Sequence, residues 1–291
     1  MKTRNPIVPR FILSLSVLLI FPGLATAETT SCTPITSLPY TVDIQGVYCL
    51  TGDLSTDMAS GHGITIGTNN VVVDLNGYTI AGLAAGAGTE AYGIYVPFRQ
   101  NITIRNGTVR GFNVGIYLND VFPYTISQAH VVENILADMN TVFGILAKGR
   151  GNTIRNNQVV DTGGASSYAF ATGVEVVGPG NRVINNDVQR TRGRDDGFAY
   201  GISADTASGV VIENNRVLNA ELGPGTSFGV YLFESTDALV KDNTVSLMNY
   251  GIYYNPYGMG STGIYINNLA GGCTIPFTGG TSAGSTNYSL P

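Results

Sequence analysis

Two interleaved repeats, in a chain with no helical stripe, predict an all-β, single-domain right-handed parallel β-helix, a solenoid of about eight coils with a small N-terminal cap. The first repeat is a glycine followed by an aliphatic residue: "GITI" at Gly63, "GIYV" at Gly93, "GIYL" at Gly115, "GILA" at Gly144, "GVEV" at Gly173, "GISA" at Gly201, "GVYL" at Gly229 and "GIYY" at Gly251. Successive glycines lie 30, 22, 29, 29, 28, 28 and 22 residues apart. The second repeat is an asparagine two residues before an aliphatic one, as in "NNQVV", "NNDV" and "VIENNRV", and it keeps nearly the same rhythm at Asn134, Asn157, Asn186, Asn215, Asn243 and Asn268. With 38 glycines, only 12% charged residues and frequent Asn-Gly turns, no window sustains a helical stripe. Each unit holds two or three short strands, which fits one solenoid turn. Propeller blades would be about twice as long, and leucine-rich repeats would need their leucine spacing. Stacked about 4.8 Å apart, eight coils make a rod of roughly 40 Å.

Taken in order, residues 1–27 read as a signal peptide. Lys2, Arg4 and Arg10 precede the apolar run Phe11–Leu24, and "ATA" at Ala25–Ala27 supplies small residues for cleavage, so the mature chain is expected to begin at Glu28. Losing three of the 15 basic residues leaves 12 Lys and Arg against 20 Asp and Glu, a net charge of −8. Such a chain has no general attraction for nucleic acid or anionic membrane. No later segment is apolar enough to span a bilayer, so the expectation is a secreted or periplasmic monomer. Residues 28–62 form the cap. Cys32 and Cys49 lie close in sequence, and a disulfide between them would be worth ~3 kcal/mol on the chain-entropy model. Three unpaired cysteines is the alternative. Residues 63–272 are the β-helix, and 273–291 a polar C-terminal tail expected to fray.

The asparagines have a structural reason. Each coil turns sharply between two strands, a residue there enters the left-handed region, and Asn tolerates that region better than most residues. In register, their amides can bond from coil to coil as a ladder. The "G-I-x-V … N-N-x-V" coils and the opening "GVYCLTGDL … NNVVVDLNGYTIAG" (Gly46–Leu54, Asn69–Gly82) make the chain resemble the right-handed parallel β-helix repeat proteins of the pectate-lyase-like superfamily, over about Gly46 to Gly272. The resemblance implies the fold strongly and the activity weakly, because that superfamily includes lyases, hydrolases and epimerases of acidic polysaccharides, phage tailspikes and proteins without known catalysis.

Strand alternation places the residue one past each glycine inside and the residue two past outside. The outer column is then Thr65, Tyr95, Tyr117, Leu146, Glu175, Ser203, Tyr231 and Tyr253. Its four tyrosines could make an aromatic shelf for sugar rings, or simply reflect β-propensity on a solvated face. The aromatic residue before many glycines (Tyr92, Phe143, Tyr200, Phe228, Tyr250) is expected to point inward as a core stack. Long coils place extra residues before the glycine, at Ala81–Tyr92, Asp161–Thr172, Gln189–Tyr200 and Leu218–Phe228, which would wall the tyrosine sheet into a groove. "QRTRGRDDGFAY" concentrates Arg190, Arg192, Arg194, Asp195 and Asp196, with Lys148 and Asp205 across the sheet and Glu175 between them.

These residues suggest a protein that binds, and either cleaves or epimerises, an acidic polysaccharide. The alternative is a non-catalytic envelope or adhesive carbohydrate-binding module. In a lyase, Arg192 or Arg194 would be base or carboxylate clamp opposite Lys148. Asp195, Asp196 and Glu175 would orient them or hold a calcium ion, the one cofactor in view. Tyr95, Tyr117, Ser203, Asp205, Tyr231 and Tyr253 would contact sugar. "GHG" at Gly61–Gly63 and "DD" at Asp195–Asp196 resemble polygalacturonase signatures in reversed order, and no later "R-I-K" follows, so those roles are not carried over. His62 is expected to be a cap residue and His130 a turn or strand residue.

Overall fold

The computed structural model describes residues 31–219 and 224–291. The expected leader and cleavage site lie outside the described residues. The chain winds as a parallel β-solenoid in which every strand pairs with its counterpart one coil away. One face is a ten-stranded parallel sheet made of Tyr40–Val42, His62–Ile66, Tyr92–Pro97, Val114–Asn119, Phe143–Lys148, Ala171–Val177, Ala199–Asp205, Ser227–Phe233, Tyr250–Tyr254 and Ile275–Thr278. The eight central strands are those of the glycine repeat, and one strand is added at each end. A second, 19-stranded sheet carries two strands on most coils, one on either side of the asparagine corner, and a single continuous strand at Ile102–Arg110 and Val131–Asp138. Between the two sheets runs one continuous core.

The aliphatic residues of the repeat build that core. Ile64, Ile94, Ile116, Ile145, Val174, Ile202, Val230 and Ile252 are all buried. They stack against Ile104, Val132, Ile154, Val183, Ile212 and Val240 from one side and Val109, Val159, Val188, Val217 and Val245 from the other. Each contributes about 1.5–3 kcal/mol of burial. The stack leaves no room for side chains at the repeat glycines. A Cβ on Gly144 would lie 2.6 Å from the Gly173 carbonyl oxygen, and one on Gly173 would lie 2.5 Å from Val188 Cγ1. The glycine therefore faces inward together with the aliphatic residue after it, and the strand bends there.

That bend corrects one expectation. Because two successive residues face inward, alternation is reset, and the aromatic residue before the glycine points outward. Tyr200, Phe228 and Tyr250 do form a stack, with centroid spacings of 5.3 and 5.0 Å and near-parallel planes, but on the outer face beside Tyr231 and Tyr253.

The asparagine corner has two columns, not one. Asn156, Asn185, Asn214, Asp242 and Asn267 take the left-handed conformation, with φ between 52° and 58°. The next residues (Asn157, Asn186, Asn215, Asn243, Asn268) are buried and form the ladder. Each ladder carboxamide oxygen accepts the backbone N–H and the Nδ2–H of the preceding coil's asparagine at 2.9–3.1 Å, and Asn287 continues the series. Asn134 belongs to the first column. Its φ is 54°, its amide donates to Asn106 Oδ1, and Ile135 occupies the ladder position.

A second buried ladder lies at another corner. The Asn152 backbone N–H donates to Asn181 Oδ1, that of His130 to Asn152 Oδ1, and that of Ile102 to His130 Nδ1. His130 stands in for an asparagine, and burial pushes its imidazole down to about 4.

The ends are ordered by the same pairing. Thr33–Ile35 pairs with Gly46–Leu50, and Cys32 is bonded to Cys49. The segment expected to fray instead pairs strand by strand: Ile275–Thr278 on Tyr250–Tyr254, Thr281–Ser282 on Gly263–Ile266, and Tyr288–Leu290 on Leu269–Gly271. Among the described residues no helix is long and apolar enough to cross a membrane.

Candidate functional site

The outer face of the ten-stranded sheet is the candidate site. Register fixes its central column, with Thr65 beside Tyr95, Tyr95 beside Tyr117, Tyr117 beside Leu146, Leu146 beside Glu175, Glu175 beside Ser203, Ser203 beside Tyr231, and Tyr231 beside Tyr253. Because the residues before the glycines also face outward, the column is doubled and the tyrosines gather into two clusters. At one end His62 stacks on Tyr95 at 4.2 Å and on Tyr92 at 5.4 Å, with Tyr117 beside them. At the other end lie Tyr200, Phe228, Tyr231, Tyr250 and Tyr253, with Tyr231 and Tyr253 parallel within 4°. Asn119 accepts from the Tyr117 hydroxyl at 2.8 Å and donates to that of Tyr95 at 2.9 Å, and Asn255 donates to that of Tyr231 at 2.5 Å. The rings are thus fixed platforms with little rotamer freedom left to lose on binding.

Between the clusters the column turns polar. Glu175 and Ser203 occupy adjacent rungs, with Lys148 and Asp205 at the strand ends two coils apart and Val177 between them. Glu175 touches solvent at its edge, but most of the volume around its carboxyl is protein. Burial, and after it the nearby Asp205 carboxylate, push that carboxyl up to about 7 against the opposing pull of Lys148. Among the described residues it has no hydrogen-bond or ion-pair partner. Burial also raises Asp205, with the Glu234 carboxylate adding to the effect. Burial, then Tyr95 and Glu175, push the Tyr117 hydroxyl up to about 12. The Lys148 ammonium stands 5.7 Å over the Tyr117 ring.

The insertions stack along one edge of this sheet, apart from residues 220–223, which lie outside the described residues. Backbone bonds stitch them together, from Glu90 to Ala59, Ser166 to Ala87, Arg194 to Ala169 and Ala171 to Phe198. The opposite edge carries two loops of its own, which the glycine spacing does not reveal. Asp120–Ile126 is tied by the buried Asp120 carboxylate to the Val121, Ile126 and Ser127 amides, and Asn255–Ser261 presents Tyr257 and Met259 to solvent.

The predicted site residues fall into two groups. Tyr95, Tyr117, Lys148, Glu175, Ser203, Asp205, Tyr231 and Tyr253 share the sheet face. Arg192 and Arg194 line a different groove of about 350 Å³ with Arg190, Asp161, Gly163 and Gly164. Asp195 and Asp196 are exposed on the same loop. Arg190 forms a two-pronged pair with Asp161, at 2.6 and 2.7 Å. Arg194 pairs with Asp195 at 3.0 Å and caps the Ser166 carbonyl. No group of three or more His, Cys, Asp and Glu that could hold a metal occurs among the described residues, so the calcium expected of Asp195, Asp196 and Glu175 has no cluster there. Residues missed from sequence are His62, Tyr92, Tyr200, Phe228 and Tyr250. The aromatic column was visible, but its direction was not.

A parallel solenoid with this repeat is the architecture of the right-handed parallel β-helix proteins. The chain belongs to the right-handed beta helix region family, whose model matches residues 93–288. No curated protein sequence matches the chain. Solved structures similar to it include the enzymatically active domain of tailspike protein 2 of bacteriophage CBA120, with 18% identity and a TM-score of 0.54 over 86% of this chain and 38% of that one. The Dettilon tailspike protein has 14% identity and a TM-score of 0.54 over 82% and 47%. Pectate lyase Pel9A has 14% identity and a TM-score of 0.50 over 83% and 69%. The chain spans less than half the length of either tailspike. At these identities the likeness is one of fold.

Proposed function

We propose that this protein binds a glycan chain along the outer face of the ten-stranded sheet and hydrolyses it, with Glu175 as general acid. The observation that carries the reading is the Glu175 carboxyl itself. It lies between two fixed tyrosine platforms, lacks a partner among the described residues, and is held near pH 7, where a carboxyl can still give up a proton. In the step proposed, the Glu175 proton passes to the glycosidic oxygen as the bond from that oxygen to the anomeric carbon breaks. A water oxygen bonds to that carbon, and Asp205 accepts the water's proton. Tyrosine faces on either side hold neighbouring sugars by their apolar faces. The tailspike and pectate lyase folds that resemble this chain are consistent with work on polysaccharides. Elimination is less well served, because it needs a base together with cations that stabilise an enolate, and the face offers Lys148 while Arg192 and Arg194 line the other groove. A signal peptide at residues 1–27 would deliver the protein to a compartment where the Cys32–Cys49 bond persists.

The experiment is a glycan array read for both binding and new reducing ends, with wild type and Glu175→Gln. Turnover that falls at least about a hundredfold in Glu175→Gln while binding persists supports the reading. Binding without turnover in wild type would leave a carbohydrate-binding module, and no binding at all would remove the face as a glycan site.

A further inference from the structure

The charge on the sheet face is opposite to what a polyuronate needs. Glu175, Asp205 and Glu234 follow one another on successive coils there. Register sets Asp205 beside Phe233, so Glu234 lies one residue beyond Asp205's partner, and its carboxylate acts on Asp205 as Asp205 acts on Glu175. The cation that offsets Glu175 and Asp205 is Lys148 in both cases, and its ammonium is turned over the Tyr117 ring. With Glu175 protonated for the step proposed above, Asp205 and Glu234 outnumber Lys148 and leave the centre of the groove negative. The rest of the face is aromatic, and the Tyr95, Tyr117 and Tyr231 hydroxyls are engaged with Asn119 and Asn255. The arginines that pointed to an acidic sugar are committed to the wall, Arg190 to Asp161 and Arg194 to Asp195 and Ser166.

We infer that the glycan taken on this face is uncharged, because the Asp205 and Glu234 carboxylates repel a chain of uronates while the aromatic platforms accept the apolar faces of neutral sugars. A carboxylate set every coil along the groove would meet like charge where the walls restrict water and screening is weakest. A neutral chain meets only rings and hydrogen-bonding groups. The inference rests on the reading of the sheet face as a glycan site and adds the class of chain it selects.

The test pairs each neutral glycan with its uronate counterpart, as oligosaccharides of one length: galactan with galacturonan, mannan with mannuronan, and galacturonan with its methyl ester. Binding is measured at low and high salt. The expected result is that the neutral member of a bound pair is held at least about tenfold more tightly at low salt, and that added salt narrows the gap. Glu234→Gln, which leaves Glu175 and Asp205 in place, is expected to tighten the acidic member about threefold and leave the neutral one unchanged. Tighter binding of the acidic member by wild type overturns the inference while the glycan reading stands. A gap that Glu234→Gln and salt both leave untouched overturns the electrostatic cause. If neither member of any pair binds, the glycan reading itself falls.

Discussion

The asparagine corner and the Glu175 saddle lie on the same coils, are both polar, and are treated in opposite ways. At the corner, Asn186 Oδ1 accepts two bonds from Asn157, and Asn186 Nδ2 donates to Ile154 O, Ile184 O and Asn215 Oδ1. Every polar atom of that side chain is answered within the stack. On the saddle, Glu175 is almost as enclosed, yet its carboxyl has no such partner among the described residues and is forced toward its neutral form. The difference separates structure from function. An orphaned buried amide costs about 1–3 kcal/mol, and the ladder from Asn157 to Asn268 avoids that cost coil by coil. An enclosed acid without such a partner is a cost the fold does not need, and the proposed proton transfer would account for it.

That contrast can be broken from either side. Asn186→Ala orphans groups on the coils on both sides of it and is expected to cost about 3–5 kcal/mol, read by denaturant unfolding. Asn185→Ala, in the exposed left-handed column, is expected to cost only about 1 kcal/mol, from strain and from solvent-exposed bonds to Asn156 and Asn214 that water can replace. Equal losses would mean that the ladder adds nothing beyond the turn.

Glu175 is expected to behave in the reverse sense. Its folded value lies above the 4.5 of a free carboxyl, so the native state holds the proton more tightly than the unfolded one. Stability should therefore fall as pH rises from about 4.5 to about 7, by about 2 kcal/mol, and Glu175→Gln should abolish that slope. A variant less stable than wild type at pH 8 would show that the carboxylate is a structural partner.

His130 sharpens the ladder side. Its imidazole is held down to about 4, below the usual 6.5, because it is buried and Nδ1 accepts the Ile102 N–H. This contribution is present above pH 6.5 and lost as pH falls toward 4. His130→Asn is expected to remove an acid-induced loss of about 1–2 kcal/mol and otherwise to fold as wild type. The smallest effect belongs to the platforms. Tyr231→Ala should weaken glycan binding by about 0.5–1.5 kcal/mol with little change in turnover rate.

Much of this was legible in the sequence, for physical reasons. A repeat fixes which residues are buried, so Ile116 and Val230 could be placed inside from period alone, and the outer column from Thr65 to Tyr253 followed. Two things were not legible. Alternation assumes that each residue carries a Cβ, and at the repeat glycines none fits, so the strand bends and Tyr200, Phe228 and Tyr250 swing to the outer face. Asn134 was set in the wrong column because a one-residue shift leaves the spacing almost unchanged, whereas Ile135 shows where the ladder runs. Charge density drew attention to Arg192, Arg194 and Asp196. Sequence shows that arginines are close together, but not that Arg190 is paired with Asp161 a full coil earlier, or that Arg194 is spent on Asp195 and Ser166. Glu175 was singled out, yet its role depends on enclosure by residues on neighbouring coils, which no local pattern records.

In the reading proposed above, the sheet face around Glu175, and not the arginine groove, receives the glycan. That reading is tested most directly by a crystal structure of Glu175→Gln with a bound oligosaccharide from the array. The account predicts sugar density running over Tyr117, the Gln side chain at position 175 and Tyr231, with a glycosidic oxygen within hydrogen-bond distance of that side chain. Density confined to the groove lined by Asp161, Arg190, Arg192 and Arg194, with the sheet face empty, would contradict it.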